Sequence, residues 1–108
     1  MQSPRVMEKL SAEIDTAFIN GLLTHPIQYN QTVKFPYLQA VIQELLRIFP
    51  PFAVPMPRYA PAAGLELSGY YIKHKTKVGM NAMVVQYDEG VFGDDAHEFR
   101  PKRWLVSM

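Results

Sequence analysis

The placement of its nine prolines does most to limit what this chain can fold into. Proline lacks an N–H and fixes φ, so it suits the first position of a helix and stops one that reaches it. In the stretch FPYLQAVIQELLRIFPP, Phe35 to Pro51, Pro36 opens a helix and the Pro50–Pro51 pair ends it, which predicts helix over 36–49. The capping position falls on Phe35, which has no side-chain acceptor, so this helix must lean on packing against the rest of the chain. Leu38, Val41, Ile42, Leu45 and Phe49 recur at helical spacing and are the expected buried stripe. Ala40, Gln43, Glu44 and Arg47 fall on the opposite side. Glu44 and Arg47 are three apart and therefore neighbours; an exposed pair of this kind contributes only about 0.2–0.5 kcal/mol.

A second helix is expected over Pro4–Ile19. Ser3 stands at the cap, Pro4 at the first position, and Met7, Leu10, Ile14, Ala17 and Phe18 form its apolar face before Asn20-Gly21 ends it. Leu22 to Lys34 reads as a connector. From Pro50 to Pro61 the prolines at 50, 51, 55, 57 and 61 force an extended run with Arg58 inside it, a guanidinium on a stiff backbone that suits an anion. A β region is expected over 59–85. Leu65–Leu67 and Tyr70–Ile72 form a hairpin around Ser68-Gly69, and Val78–Val85 forms a strand. Asp88-Glu89-Gly90 reads as a turn, Val91–His97 as a short helix, and Phe99–Leu105 as a closing segment. Two main helices with a hairpin and a strand make the fold class α+β.

Composition excludes several functions. The formal net charge of +1, from 11 basic and 10 acidic residues, provides no field for nucleic acid. With no cysteine there is no disulfide, no thiol nucleophile and no thiolate for a metal. His25, His74 and His97 stand in no recognisable ligand spacing, so no metal-ligating and no catalytic residue is assigned. No apolar run approaches the ~18 residues that span a bilayer, and the start, MQSPRVMEKL, lacks the apolar core of a signal peptide.

The order of these features is more specific than any one of them. A Glu-x-x-Arg helix, a proline-rich extension with one arginine, a Gly-Tyr-Tyr-Ile hairpin and then VFGDDAHEFRPKRWL resemble the cytochrome P-450 family from Pro4 to Leu105. The resemblance is nearest to its eukaryotic microsomal type, in particular the fungal branch. It implies a partial domain of that mostly helical fold over 1–108, ending in a meander-like segment. It matches Glu44 and Arg47 to the Glu-x-x-Arg pair and Pro101-x-Arg103-Trp104 to the Pro-x-Arg-aromatic element. Glu44, Arg47 and Arg103 would then form a structural network, and Arg58 would meet a heme propionate.

The implied cofactor is heme, and the implied partners are a reductase and a small organic substrate. The implied reaction is the insertion of oxygen from O₂. Relatives of this type usually sit on the endoplasmic-reticulum membrane. The family's cysteine loop would follow Trp104, and its oxygen-activating helix would precede Pro4. The expectation is therefore a C-terminal fragment, inactive by itself; the alternative is a non-catalytic interaction module or a decayed gene product. The turn after Ile72 reads Lys73-His74-Lys75-Thr76, with lysine where the family has glycine, so a strained Lys75 is expected.

Overall fold

A computed structural model describes residues 3–105. They divide into two compact units: residues up to Phe49 together with those from Glu98 onward, and Pro50–His97.

The first unit holds helices α1 (Pro4–Ile19), α2 (Tyr29–Thr32) and α3 (Pro36–Ile48), and a 3-10 helix, η1 (Pro101–Trp104). Proline opens α1, α3 and η1 at the first turn, where its missing N–H removes a donor that would otherwise lack a partner. Ser3 occupies the cap of α1, but its hydroxyl makes no capping bond. Its carbonyl instead accepts from the N–H groups of Val6 and Met7 at 3.0 and 3.1 Å. Ala17, Leu23 and Phe35 form a buried cluster, with Ile14, Phe18 and Leu38 packed on it. The expected connector contains α2, whose start is tightened where the Gln28 N–H donates to Gln31 Oε1 at 3.1 Å.

Helix α3 ends one residue before the expected boundary. Phe49 leaves the α region, at φ −123°, because it precedes a proline. The expected buried stripe needs a larger correction. Ile42, Leu45 and Phe49 are exposed, whereas Ala40, Val41, Glu44, Arg47 and Ile48 are buried. Val41 of the expected stripe is buried and Leu38 packs on the core, but Glu44 and Arg47 on the polar side are buried as well, because they satisfy one another. A paired carboxylate and guanidinium can be buried where unpaired ones cannot.

In the second unit, β1 (Arg58–Tyr59) pairs antiparallel with β4 (Lys77–Val78), and β2 (Leu65–Leu67) pairs antiparallel with β3 (Tyr70–Ile72). Leu65 lies opposite Ile72 and Leu67 opposite Tyr70. The hairpin turn has Ser68 at φ +50° and Gly69 at φ +81°, the two positive values a primed turn requires. Lys75 sits at φ +65°, in the region where a side chain is disfavoured.

The expected strand Val78–Val85 is not formed. Pairing stops at Val78, and Ala82–Gln86 is helix α4. Asn81 is the reason: in extended conformation, its side chain accepts from the Met83 N–H at 3.0 Å and starts a helix. Asp88 acts in the same way. It accepts from the Gly90 N–H at 2.7 Å, so the expected turn becomes the cap and first part of α5 (Glu89–Phe92). The short helix expected over Val91–His97 is therefore displaced toward the N-terminus. Among the described residues, no helix is long and apolar enough to cross a membrane.

Candidate functional site

The centre of the first unit is the carboxylate of Glu44, whose side chain is fully buried. Its position on α3 turns it toward η1. One oxygen, Oε1, accepts from Arg47 Nη2 at 2.8 Å, from the Arg100 backbone N–H at 2.8 Å and from Arg103 Nε at 3.1 Å. The other, Oε2, accepts from Arg47 Nε at 3.0 Å and from the Trp104 indole N–H at 2.8 Å. Arg47 is thus bidentate, and its Nη2 also donates to the Glu98 carbonyl at 3.0 Å. An ionised carboxylate offers about four lone-pair sites, so this one is saturated by its donors.

Burial pushes the Glu44 carboxyl up, and the donors oppose it: the Arg47 guanidinium first, then the Arg100 N–H, the Trp104 indole and Arg103. The donors prevail, and the group lies below its ordinary value of 4.5. Glu44 is therefore an anion at neutral pH, saturated and shielded, with no free lone pair to take a proton from a substrate. The arrangement can hold two segments together.

The structure brings Glu44, Arg47 and Arg103 together across 59 residues. Arg58 stands in the other unit, on β1, exposed and with no ion pair among the described residues. It borders an open cleft of about 430 Å³ lined by Met56, Tyr59, Leu65, Val78 and Met80.

Three partners escaped the sequence reading. In the sequence Trp104 marks only an aromatic position; the available signal is that an indole N–H taken out of water needs an acceptor. The Arg100 N–H leaves no trace in residue type. Glu13, on α1, accepts from the Tyr37 and Leu38 backbone N–H groups at 3.0 and 2.9 Å, capping α3 from a different helix.

A model of the cytochrome P-450 family matches the chain over residues 1–108. The chain belongs to the cytochrome P-450 family. It is 67% identical to cytochrome P450 monooxygenase ACRTS1 of Alternaria alternata over 107 residues, which is 99% of this chain and 28% of the relative. It is 48% identical to the monooxygenase gsfF of Penicillium aethiopicum over 93% of this chain and 20% of that protein. Pisatin demethylase of Fusarium vanettenii is 37% identical over 95% of this chain and 20% of its own length. The chain thus spans between a fifth and somewhat over a quarter of these fungal relatives. Its helices and small antiparallel sheets are a mixed α+β fragment of the P-450 fold. Heme is the cofactor of the P-450 family, and among the described residues no group of three potential ligands could hold a metal.

Proposed function

We propose that this chain is the Glu-x-x-Arg segment of a heme-dependent monooxygenase that oxidises an organic substrate with O₂ and electrons from a reductase. The observation that carries the reading is the saturated Glu44 carboxylate, which ties α3 to η1 through Arg47, Arg103, Trp104 and the Arg100 N–H. Glu44, Arg47 and Arg103 act as structure rather than as catalysts. When bound, heme supplies the oxygen-activating chemistry. Arg58 suits one edge of that group: an exposed guanidinium beside an open cleft of largely apolar lining matches a carboxylate on a flat apolar macrocycle.

A thiolate ligand for the iron must come from elsewhere, because the 108 residues contain no cysteine. These residues alone are therefore inactive as a monooxygenase. Ile42 and Leu46 on α3 and Phe49 just after it, exposed at 41%, 50% and 64%, support the same reading, since an enzyme several times longer would cover that face.

The test is a full-length chimera in which this chain replaces the matching segment of the Alternaria relative. The chimera should retain heme and give a thiolate-type spectrum for its reduced carbon monoxide complex. Glu44→Ala should lose the heme, Arg58→Ala should hold it more weakly, and the 108 residues alone should give no such spectrum. A chimera without heme, beside a parent that keeps it, would overturn the reading and favour a non-catalytic module.

A further inference from the structure

We propose that Glu13 is a positioning residue for the Glu44 network, acting through the first turn of α3. The proposal rests on the reading of Glu44 as the tie between α3 and η1.

The partners of the first backbone donors of α3 can all be named. Pro36 has no N–H. The Gln39 N–H donates to the Phe35 carbonyl at 3.0 Å. The Tyr37 and Leu38 N–H groups remain, and Phe35 has no side chain to receive them. Each finds one oxygen of the same carboxylate: Tyr37 donates to Glu13 Oε1 at 3.0 Å and Leu38 to Glu13 Oε2 at 2.9 Å. A negative charge at this end is also favoured by the dipole of a 13-residue helix. α1 thus provides the cap that the sequence of α3 lacks.

Two bonds to two oxygens fix a rotation as well as a position. Tyr37 and Glu44 are seven residues apart (44 − 37), so they lie about two turns from each other and within about 20° on the same face. A turn of the helix at Tyr37 therefore carries the Glu44 carboxylate sideways. The far end of that lever is equally constrained, with five donor contacts meeting two oxygens at 2.8–3.1 Å. Displacement by a fraction of an ångström breaks the geometry of several of them at once. Glu13 therefore acts on the network through the first turn of α3, to which it is bonded at Tyr37 and Leu38.

Residue-resolved amide hydrogen exchange in the full-length chimera tests this directly, because the Arg100 N–H is itself a member of the network. Glu13→Ala should speed exchange at Tyr37 and Leu38 by roughly twofold to thirtyfold, the range for a lost N-cap, and should speed exchange at Arg100 severalfold as well. Glu13→Gln keeps one oxygen acceptor but sets an amide donor against the other N–H, so it should restore only part of the Arg100 protection. Ile14→Ala removes packing from the same helix but leaves the Glu13 carboxylate and its two bonds in place, and should leave Arg100 much less affected. Unchanged Arg100 protection in Glu13→Ala would overturn the proposal, as would an equal effect from Ile14→Ala. If the chimera binds no heme but Glu13→Ala still releases Arg100, the coupling stands and only the functional reading falls.

Discussion

Replacing Glu44 by alanine removes the acceptor on which four groups converge. Arg47, with 2% of its side chain exposed, loses both bonds to the carboxylate; Arg103, with 11% exposed, loses one. The Trp104 indole and the Arg100 N–H lose one each. Hydrogen bonds to a charged group are worth about 1.5–3 kcal/mol each, so four groups set an upper limit of about 6–12 kcal/mol. Water reduces it, because Arg103 lies at the rim and Arg100 is exposed, while Arg47 keeps its bond to the Glu98 carbonyl. The expected loss is about 3–5 kcal/mol, that of a buried pair deprived of one partner. Against a total stability of about 5–15 kcal/mol, such a loss is large. Urea unfolding of the full-length chimera and its Glu44→Ala variant, followed by circular dichroism, measures it. A loss below about 1 kcal/mol would refute the reasoning, since it would make the carboxylate an ordinary hydrated surface group.

Further outcomes follow from the same contacts. The Glu44 carboxyl lies below its ordinary value, so its stabilisation is complete above the unfolded-state value and is lost as pH falls through the lowered folded one. The acid limb of a stability–pH curve should accordingly be flatter in Glu44→Gln than in the parent. The Tyr37 hydroxyl is raised above 10.0, by burial first and then by the charge of Glu13. A spectrophotometric titration should find it ionising late, and Glu13→Gln should move it back toward 10.0. Its neutral form stabilises the fold below the unfolded value, and that contribution is lost as pH rises through the raised one. In the β unit, Lys75→Gly should stabilise by up to ~1 kcal/mol by relieving a positive φ of 65°. Gly64→Ala should destabilise more than Gly69→Ala in thermal melts, because its added methyl would overlap the Tyr71 ring while that of Gly69 meets nothing.

The parts of this fold legible in the sequence are those set by backbone chemistry. Pro4 and Pro36 mark helix starts, Phe49-Pro50 marks an end, and Ser68-Gly69 marks a hairpin, because missing donors and positive φ values act locally. The face of α3 was not legible. Hydrophobic periodicity scores Glu44 and Arg47 as outward, whereas five donor contacts make them the most deeply buried polar pair described. The segment after Val78 was misread for a related reason. Val84 and Val85 favour a strand, but one Asn81 cap decides five residues in favour of a helix. Glu13 was out of reach because the donors it receives belong to backbone 24 and 25 residues away.

A double-mutant cycle between Glu44 and Arg103 in the full-length chimera tests most directly whether the carboxylate ties α3 to η1. Glu44→Ala, Arg103→Ala and the pair are each unfolded in urea, and the coupling is the departure from additivity. Neighbours in one buried network couple by about 0.5–3 kcal/mol. With the Arg103 Nε at 3.1 Å from a fully buried oxygen, the expected coupling lies in the upper half of that range. Additivity within about 0.3 kcal/mol would contradict the account, and would mean that Arg103 and Glu44 meet without holding the two segments together.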